Sequence, residues 1–169
     1  MALTGTENAS SSFPSSSMLG WTYNVFLSFR GDTRKNFTDR LYTTLKQKGI
    51  FTYRDDEKLK GGTFISLELL KAKEESRFAI VILSKDYASS SWCLMELAKI
   101  VECIKKTGLI VLLVFHYVDP SDVRHWRETF ADAFVKYEER FKDNMGDVYT
   151  WRDALTQVAS IVGWDLRDK

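Results

Sequence analysis

Residues 78–101 read FAIVILSKDYASSSWCLMELAKIV, and the prediction of the fold begins with this stretch. The first six residues form a continuous apolar run rich in β-branched side chains, which is typical of a strand buried on both faces. A serine-rich loop follows, with Ser91 as the predicted N-cap of a helix. Apolar residues then recur at helical spacing, at Cys93, Leu94, Leu97, Ile100, Val101 and Ile104. The stretch therefore predicts a strand, a loop and an amphipathic helix that Gly108 ends.

Glu96 lies in the first two turns of this helix, with Trp92 and Cys93 close by. The positive end of the helix dipole favours an ionised carboxylate at this place. Glu96 and Trp92 would therefore lie near the carboxyl end of the preceding strand, where a carboxylate and a tryptophan together suggest an active site. The structural alternative is that Glu96 only complements the helix dipole and Trp92 only packs in the core.

Composition limits the classes of partner. The 169 residues suffice for one globular domain with a sizeable core. The net charge of +1 gives no support to a nucleic-acid or membrane-surface partner. No apolar run is long enough to span a bilayer. We therefore expect no membrane and no nucleic-acid partner.

Cysteine and histidine usage indicates neither a disulfide nor a metal site. Cys93 and Cys103 fall ten residues apart on one predicted helix, too far apart to pair. Two histidines and two cysteines without close spacing favour no structural zinc site. Reduced thiols and the lack of a signal-peptide pattern favour the cytoplasm, with the nucleus as an alternative.

The N-terminal part of the chain divides into a leader and a first strand. Residues 1–20 are serine-rich and predict a disordered leader, followed by one domain over 21–169. Residues 23–29 predict a strand, and Arg30-Gly31-Asp32-Thr33-Arg34 the loop after it. The glycine permits close approach of the backbone to a ligand, and arginines bind phosphates well.

The remaining segments alternate between helix and strand. Before the central stretch, the pattern predicts a helix at 35–48 ended by Gly49, a strand at 50–53, a charged loop at 54–62 and a helix at 64–76. After it, the pattern predicts a strand at 109–118 and three helices. The first helix begins at Pro120, the second carries Phe130, Phe134 and Tyr137, and the third covers 148–161 and is stopped by Gly163. The fifth strand is either 146–149 or 163–166. This alternation predicts an α/β fold with a doubly wound parallel sheet. In the order 2-1-3-4-5, the ligand crevice lies where Arg30-Gly31 meets Ser84.

Four motifs, in order along the chain, carry a resemblance to a known family. They are YNVFLSFRG at 23–31, FTYRDD at 51–56, SWCLMEL at 91–97 and VDPSDVR at 118–124. Together they resemble the Toll/interleukin-1 receptor (TIR) domain of plant nucleotide-binding leucine-rich-repeat disease-resistance proteins, over residues 22–166. The resemblance implies a flavodoxin-like three-layer fold with a five-stranded parallel sheet flanked by helices. It also implies an N-terminal signalling domain of an intracellular immune receptor that self-associates and cleaves the nicotinamide–ribose bond of NAD+.

The resemblance assigns roles to individual residues. Glu96 would be catalytic, and one carboxylate would suffice because nicotinamide leaves as a neutral molecule from a cationic ring. NAD+ would be the substrate, with no cofactor and no metal, and the partners would be copies of the domain and other TIR domains. Self-association would use Asp39 and Arg40. Substrate would contact Phe29, Arg30, Gly31, Ser90, Trp92 and Cys93, together with Asp55 and Lys60 of a loop at 54–63 that moves over the site.

The chain departs from the family pattern at several places. The loop is one residue short between Gly31 and Asp32, Arg40 replaces a common histidine, Lys73 an isoleucine, Leu113 a proline, and Trp126 a polar residue.

Two interpretations other than an enzyme are open for this sequence. A non-catalytic scaffold for homotypic interaction needs only the surface helices. A phospho-acceptor receiver needs acidic residues after strands 1 and 3, where the chain has Phe29-Arg30 and Ser84. His116 and His125 are interpreted as structural.

Overall fold

Five parallel strands form the centre of the computed structural model, which describes residues 23–54 and 75–168. The strands are β1 (Tyr23–Ser28), β2 (Thr52–Arg54), β3 (Ser76–Leu83), β4 (Ile110–Phe115) and β5 (Gly163–Asp165). Their order is β2-β1-β3-β4-β5, which confirms the predicted order 2-1-3-4-5. The central strand β3 pairs with β1 through Leu27 and Ile80, and with β4 through Ile82 and Val114.

The helices are α1 (Asp39–Gln47), α2 (Ser91–Thr107), α3 (Pro120–Arg124), α4 (Thr129–Arg140) and α5 (Gly146–Ala159). Short 3₁₀ turns occupy Gly31–Thr33, Tyr87–Ser89 and Leu166–Asp168. Within the described ranges, no helix combines the length and apolarity that crossing a bilayer requires.

Both faces of the sheet are covered, as the apolar run of β3 predicted. Ala79, Val81 and Leu83 face a large core built with α2, α4 and α5. Ile80 and Ile82 face a smaller core on the other side of the sheet. Side chains of α1 and the segment before it complete that smaller core, namely Phe37, Leu41, Tyr42 and Leu45.

The cap of α2 lies one residue earlier than predicted. Ser90 has an extended backbone (φ −106°, ψ 114°), and its hydroxyl accepts a hydrogen bond from the Cys93 amide at 3.2 Å. Ser91 is already the first helical residue, so the prediction of Ser91 as N-cap was wrong. Gly108 ends the helix with φ +77°, as predicted. Asp119 caps α3 ahead of Pro120, which confirms the predicted start of that helix.

Several predicted boundaries shift. The helix predicted at 35–48 is a short π-helical segment, Arg34–Thr38, followed by α1, and Gly49 follows α1 with φ +79°. The strand predicted at 50–53 begins at Thr52, and β4 covers only part of 109–118. The leader, the helix predicted at 64–76, Lys73, and the charged loop beyond Arg54 lie outside the described residues.

The fifth strand is the C-terminal candidate, and the alternative at 146–149 is wrong because Gly146 begins α5. Gly163 does not stop a helix, since α5 already ends at Ala159. Gly163 pairs with Leu113 of β4, and a Cβ atom at Gly163 would lie 2.5 Å from the Leu113 carbonyl oxygen. The glycine therefore permits β5 to approach β4. Leu113, which stands where the family commonly has a proline, is fully buried within β4 and pairs with β3 and β5. A proline at this position would have no backbone amide to donate to the sheet.

We expect Gly163→Ala to lower the free energy of unfolding by about 1–3 kcal/mol, because the added methyl group must push β5 away from β4. Chemical denaturation measures the change. Gly146→Ala is the matched control: apart from the adjacent residues and the backbone of its own helix, the nearest described atom to its new Cβ is Asn144 Oδ1 at 3.9 Å, so no loss is expected. Equal stability of the two variants would show that β5 is not held at this spacing.

Candidate active site at the carboxyl edge of the sheet

A buried carboxylate lies where β1 and β3 end. Glu96 is only 4% exposed, although it is a glutamate on a helix. The hydroxyl of Ser28, the last residue of β1, donates a hydrogen bond of 2.6 Å to Glu96 Oε1. Ser28 is itself fully buried. The end of the strand is thereby joined to the second turn of α2 by a charge-assisted hydrogen bond.

The Ser28 hydroxyl also contacts the hydroxyl of Tyr87. Tyr87 lies in the 3₁₀ turn that follows β3, and its hydroxyl is 2.7 Å from Ser28 Oγ. The same hydroxyl lies 3.3 Å from the Cys93 carbonyl oxygen. Burial raises the pKa of Tyr87 well above its ordinary value, and the nearby Cys93 and Glu96 raise it further. Tyr87 therefore keeps its proton and acts as a hydrogen-bond donor.

Cys93 ties the loop after β1 to the start of α2. Its thiol donates to the Phe29 carbonyl oxygen across 3.6 Å. Burial, followed by the negative charge of Glu96, raises the pKa of Cys93 to about 12. The thiol is therefore protonated at physiological pH, and it is a buried contact rather than a nucleophile.

The loop after β1 is held next to the end of β3, as predicted. The Ser84 hydroxyl donates to Asp32 Oδ1 at 2.9 Å, and the Thr33 amide donates to the Arg30 carbonyl oxygen at 3.1 Å. These bonds fold the loop into its 3₁₀ turn and leave Arg30 and Gly31 exposed. Phe29 is nearly buried, at 9% exposure.

The structure brings together some of the predicted site residues and not others. Phe29, Ser90, Cys93 and Glu96 meet around the first two turns of α2. Trp92 is half-buried and packs against the large core. Asp55 and Lys60 lie outside the described residues.

The predicted self-association residues lie on α1, away from the carboxylate. Asp39 forms an ion pair with Arg54 of β2 at 2.5 Å. Arg40 is exposed, and its Nε donates to the Asn36 carbonyl oxygen at 3.2 Å.

Sequence reasoning missed Ser28 and Tyr87. A signal existed in each case, because Ser28 is a polar residue within an apolar strand and Tyr87 is an aromatic residue in a serine-rich loop. Both hydrogen bonds of Ser28 join residues about 60 or more positions apart, however, so only the folded chain pairs them.

The histidines lie in other surroundings. The His116 ring is tilted by 58° to the Phe37 ring and meets the Tyr117 ring edge-on at 90°, with ring centres 5.5 Å and 4.9 Å away. His125 is exposed at the end of α3. In the parts of the chain that the structure describes, no three or more His, Cys, Asp or Glu residues are grouped so that they could hold a metal ion.

Comparison with known proteins gives the family. The family model described as TIR domain matches residues 22–169. The chain is a TIR domain. This confirms the resemblance that the four sequence motifs carried.

Similar proteins are plant disease-resistance proteins. The TIR domain is 51% identical over 157 residues to TMV resistance protein N of Nicotiana glutinosa. This match covers 92% of this chain and 14% of that protein. It is 51% identical over 170 residues to disease resistance protein RPV1 of Vitis rotundifolia, covering 99% of this chain and 12% of the relative. The chain thus spans only a small part of the length of these relatives.

A solved structure shares both sequence and fold with this TIR domain. The TIR domains in the structure of the activated Roq1 resistosome, which directly recognizes the pathogen effector XopQ, are 53% identical to it. The TM-score is 0.81, and the match covers 88% of this chain and 90% of the other. The flavodoxin-like sheet order is therefore that of the family.

Trp126, one of the departures from the family pattern, is partly exposed, at 36%. The Arg152 guanidinium lies 5.0 Å from the centre of its ring, within the range of a cation–π contact. The exposed aromatic residue thus has a partner within the domain.

We expect neither cysteine of the native TIR domain to react with a thiol reagent such as DTNB at pH 8. Both thiols are buried, and the pKa of Cys93 is about 12. Absorbance measurements after unfolding in guanidinium should count both thiols. Rapid reaction of either thiol in the native domain would mean that this thiol is accessible and ionised, contrary to the prediction.

Proposed function

We propose that the domain hydrolyses NAD+ at the nicotinamide–ribose bond, with Glu96 as the catalytic residue. The domain would signal at the N-terminus of a plant intracellular immune receptor in the cytoplasm, or alternatively in the nucleus. One observation carries the proposal: a buried carboxylate is held at the carboxyl ends of the neighbouring strands β1 and β3, where the strand order reverses. Open α/β sheets bind their ligands at this place. The similarity to disease-resistance proteins supports the signalling context.

The reaction suits a single carboxylate. The bond between ribose C1′ and the pyridinium nitrogen breaks, and its electron pair neutralises the leaving nicotinamide. Positive charge develops on the ribose, and a fixed anion at Glu96 stabilises it. Water then attacks C1′ and loses a proton, which gives ADP-ribose. Attack by an atom of the substrate itself would instead give a cyclic product.

The neighbouring loop supplies the remaining contacts in this proposal. The exposed guanidinium of Arg30 suits the diphosphate, because arginine pairs with phosphate oxygens through two parallel hydrogen bonds. Phe29 and Gly31 form a wall beside it. Trp92, Ser90 and Cys93 lie at the start of α2, and Asp55 and Lys60 are proposed to contact substrate from the loop at 54–63.

Access to Glu96 links the chemistry to assembly. At 4% exposure, the carboxylate reaches a ribose only after the surrounding segments move. We propose that self-association, with copies of this domain or with other TIR domains, drives this opening. The similarity to TIR domains within a resistosome supports assembly, and the exposed Arg40 with the paired Asp39 on α1 is the proposed contact.

The burial of Glu96 also favours the second candidate, a non-catalytic scaffold. In a scaffold, the enclosed carboxylate bonded to Ser28 would have the single role of joining β1 to α2. In that case the domain would associate through its helices without consuming NAD+.

We expect the purified domain at high concentration to release nicotinamide from NAD+, and Glu96→Ala to lower the rate by about a hundredfold or more. Chromatography of nicotinamide measures release, and sedimentation velocity on the same samples measures association. Glu96→Gln is the matched control, because it keeps the size of the side chain and removes its charge.

Both candidates have a distinct outcome in this experiment. Loss of activity in both variants, with association unchanged, supports the enzyme. Full activity in Glu96→Ala would eliminate the catalytic role. Association of the parent without nicotinamide release would favour the scaffold.

Gly31→Ala tests whether substrate approaches the loop. Among the described residues other than its two chain neighbours, no atom lies within 4 Å of the added methyl group, and Gly31 does not have a positive φ. The thermal midpoint should therefore not change. We expect the KM for NAD+ to rise several-fold, because the methyl group would occupy space beside the bound substrate. An unchanged KM would place the substrate elsewhere.

A further inference from the structure

We infer that Ser28 and Tyr87 are positioning residues, which form a hydroxyl relay that orients the Glu96 carboxylate. Its consequence for catalysis rests on the proposed function, whereas the relay itself rests on geometry. The three side chains come from β1, from the turn after β3 and from α2. All three are buried, with exposures of 0%, 0% and 4% for Ser28, Tyr87 and Glu96.

Counting protons gives the relay a direction. The Ser28 hydroxyl has one proton, and an ionised Glu96 can only accept, so that proton lies on the 2.6 Å bond to Oε1. The contact of 2.7 Å between Ser28 and Tyr87 then requires the proton of Tyr87. The Cys93 carbonyl oxygen, at 3.3 Å, is a second and more distant acceptor for the same proton. The order of donation is Tyr87 to Ser28 to Glu96. Each hydroxyl is polarised by the next, which strengthens the bond to the carboxylate.

Three polar groups near the carboxylate have hydrogen-bond partners of their own. The Cys93 thiol is directed to the Phe29 carbonyl oxygen and remains uncharged. Arg30 and Asp32 of the loop act on Cys93 with opposite electrostatic effects, and Asp32 accepts from Ser84. Ser90 is used by the Cys93 amide. The hydrogen bond from Ser28 is the contact at Oε1 on which the relay depends.

The relay predicts how Glu96 responds to mutation. A donated hydrogen bond favours the ionised carboxylate, so removing the donor makes protonation easier. Ser28→Ala should raise the midpoint of the Glu96 titration by roughly one pH unit. Tyr87→Phe should raise it less, because Tyr87 acts through Ser28. The double variant should match Ser28→Ala alone, since the path through Ser28 is already broken.

Carbon-13 NMR of protein labelled at the glutamate carboxyl carbon measures these midpoints, with Glu96→Gln identifying the signal. Tyr137→Phe is the matched control, because it removes a buried tyrosine hydroxyl that donates to the Ala88 carbonyl oxygen at 2.8 Å. Its midpoint should equal that of the parent. An unchanged midpoint in folded Ser28→Ala, or fully additive shifts in the double variant, would overturn the relay. If Ser28→Ala does not fold, Tyr87→Phe alone decides the result by the presence or absence of its shift.

Kinetics provide a second measurement that separates this inference from the proposed function. We expect Ser28→Ala to lower kcat for nicotinamide release roughly tenfold at pH 7, with little change in KM. The acid limb of its pH profile should move to higher pH by the same amount as the NMR midpoint. A parent domain without activity would refute the proposed function, while the NMR midpoints would still test the relay. If Ser28→Ala has an unchanged kcat and its acid limb does not move, the relay has no role in catalysis.

Discussion

The arrangement at the carboxyl edge depends on burying one carboxylate. Removing an ionised carboxylate from water is costly unless hydrogen bonds replace the lost solvent. Glu96 meets this requirement through Ser28, and Ser28 in turn is bonded to Tyr87. Because the three side chains belong to different elements, the requirement fixes β1, the turn after β3 and the start of α2 relative to one another. A shift of any of them would leave a buried polar group without its partner.

Two further bonds extend this constraint to the loop that follows β1. The Cys93 thiol holds the Phe29 carbonyl oxygen, and Ser84 holds the Asp32 carboxylate. The first joins the loop to α2, and the second joins it to the end of β3. Arg30 and Gly31 therefore extend into solvent from a short turn that is anchored at both ends. An anchored turn that exposes an arginine is a favourable arrangement for binding a phosphorylated ligand.

The sequence predicted what depends on local pattern. The apolar run of β3, the 3.6-residue period of α2 and the alternation of elements led to the correct sheet order. It did not select Ser90 over Ser91 as the cap, because the two side chains are chemically identical and only the backbone decides. Gly163 was misinterpreted for a related reason. A glycine that ends a helix and one that permits a strand to approach differ only in the neighbour, here Leu113, which the sequence does not reveal.

The energetic cost of the buried acid bears on the choice between enzyme and scaffold. A domain that needed only a packed helix at this position would be equally or more stable with an apolar residue in place of Glu96. Instead, two buried hydroxyls are directed, one through the other, to a buried carboxylate. Such an arrangement is expected where the charge itself is used, because stability alone does not require it. Enclosure of the carboxylate then implies that its use is conditional on opening, which agrees with an enzyme that assembly activates.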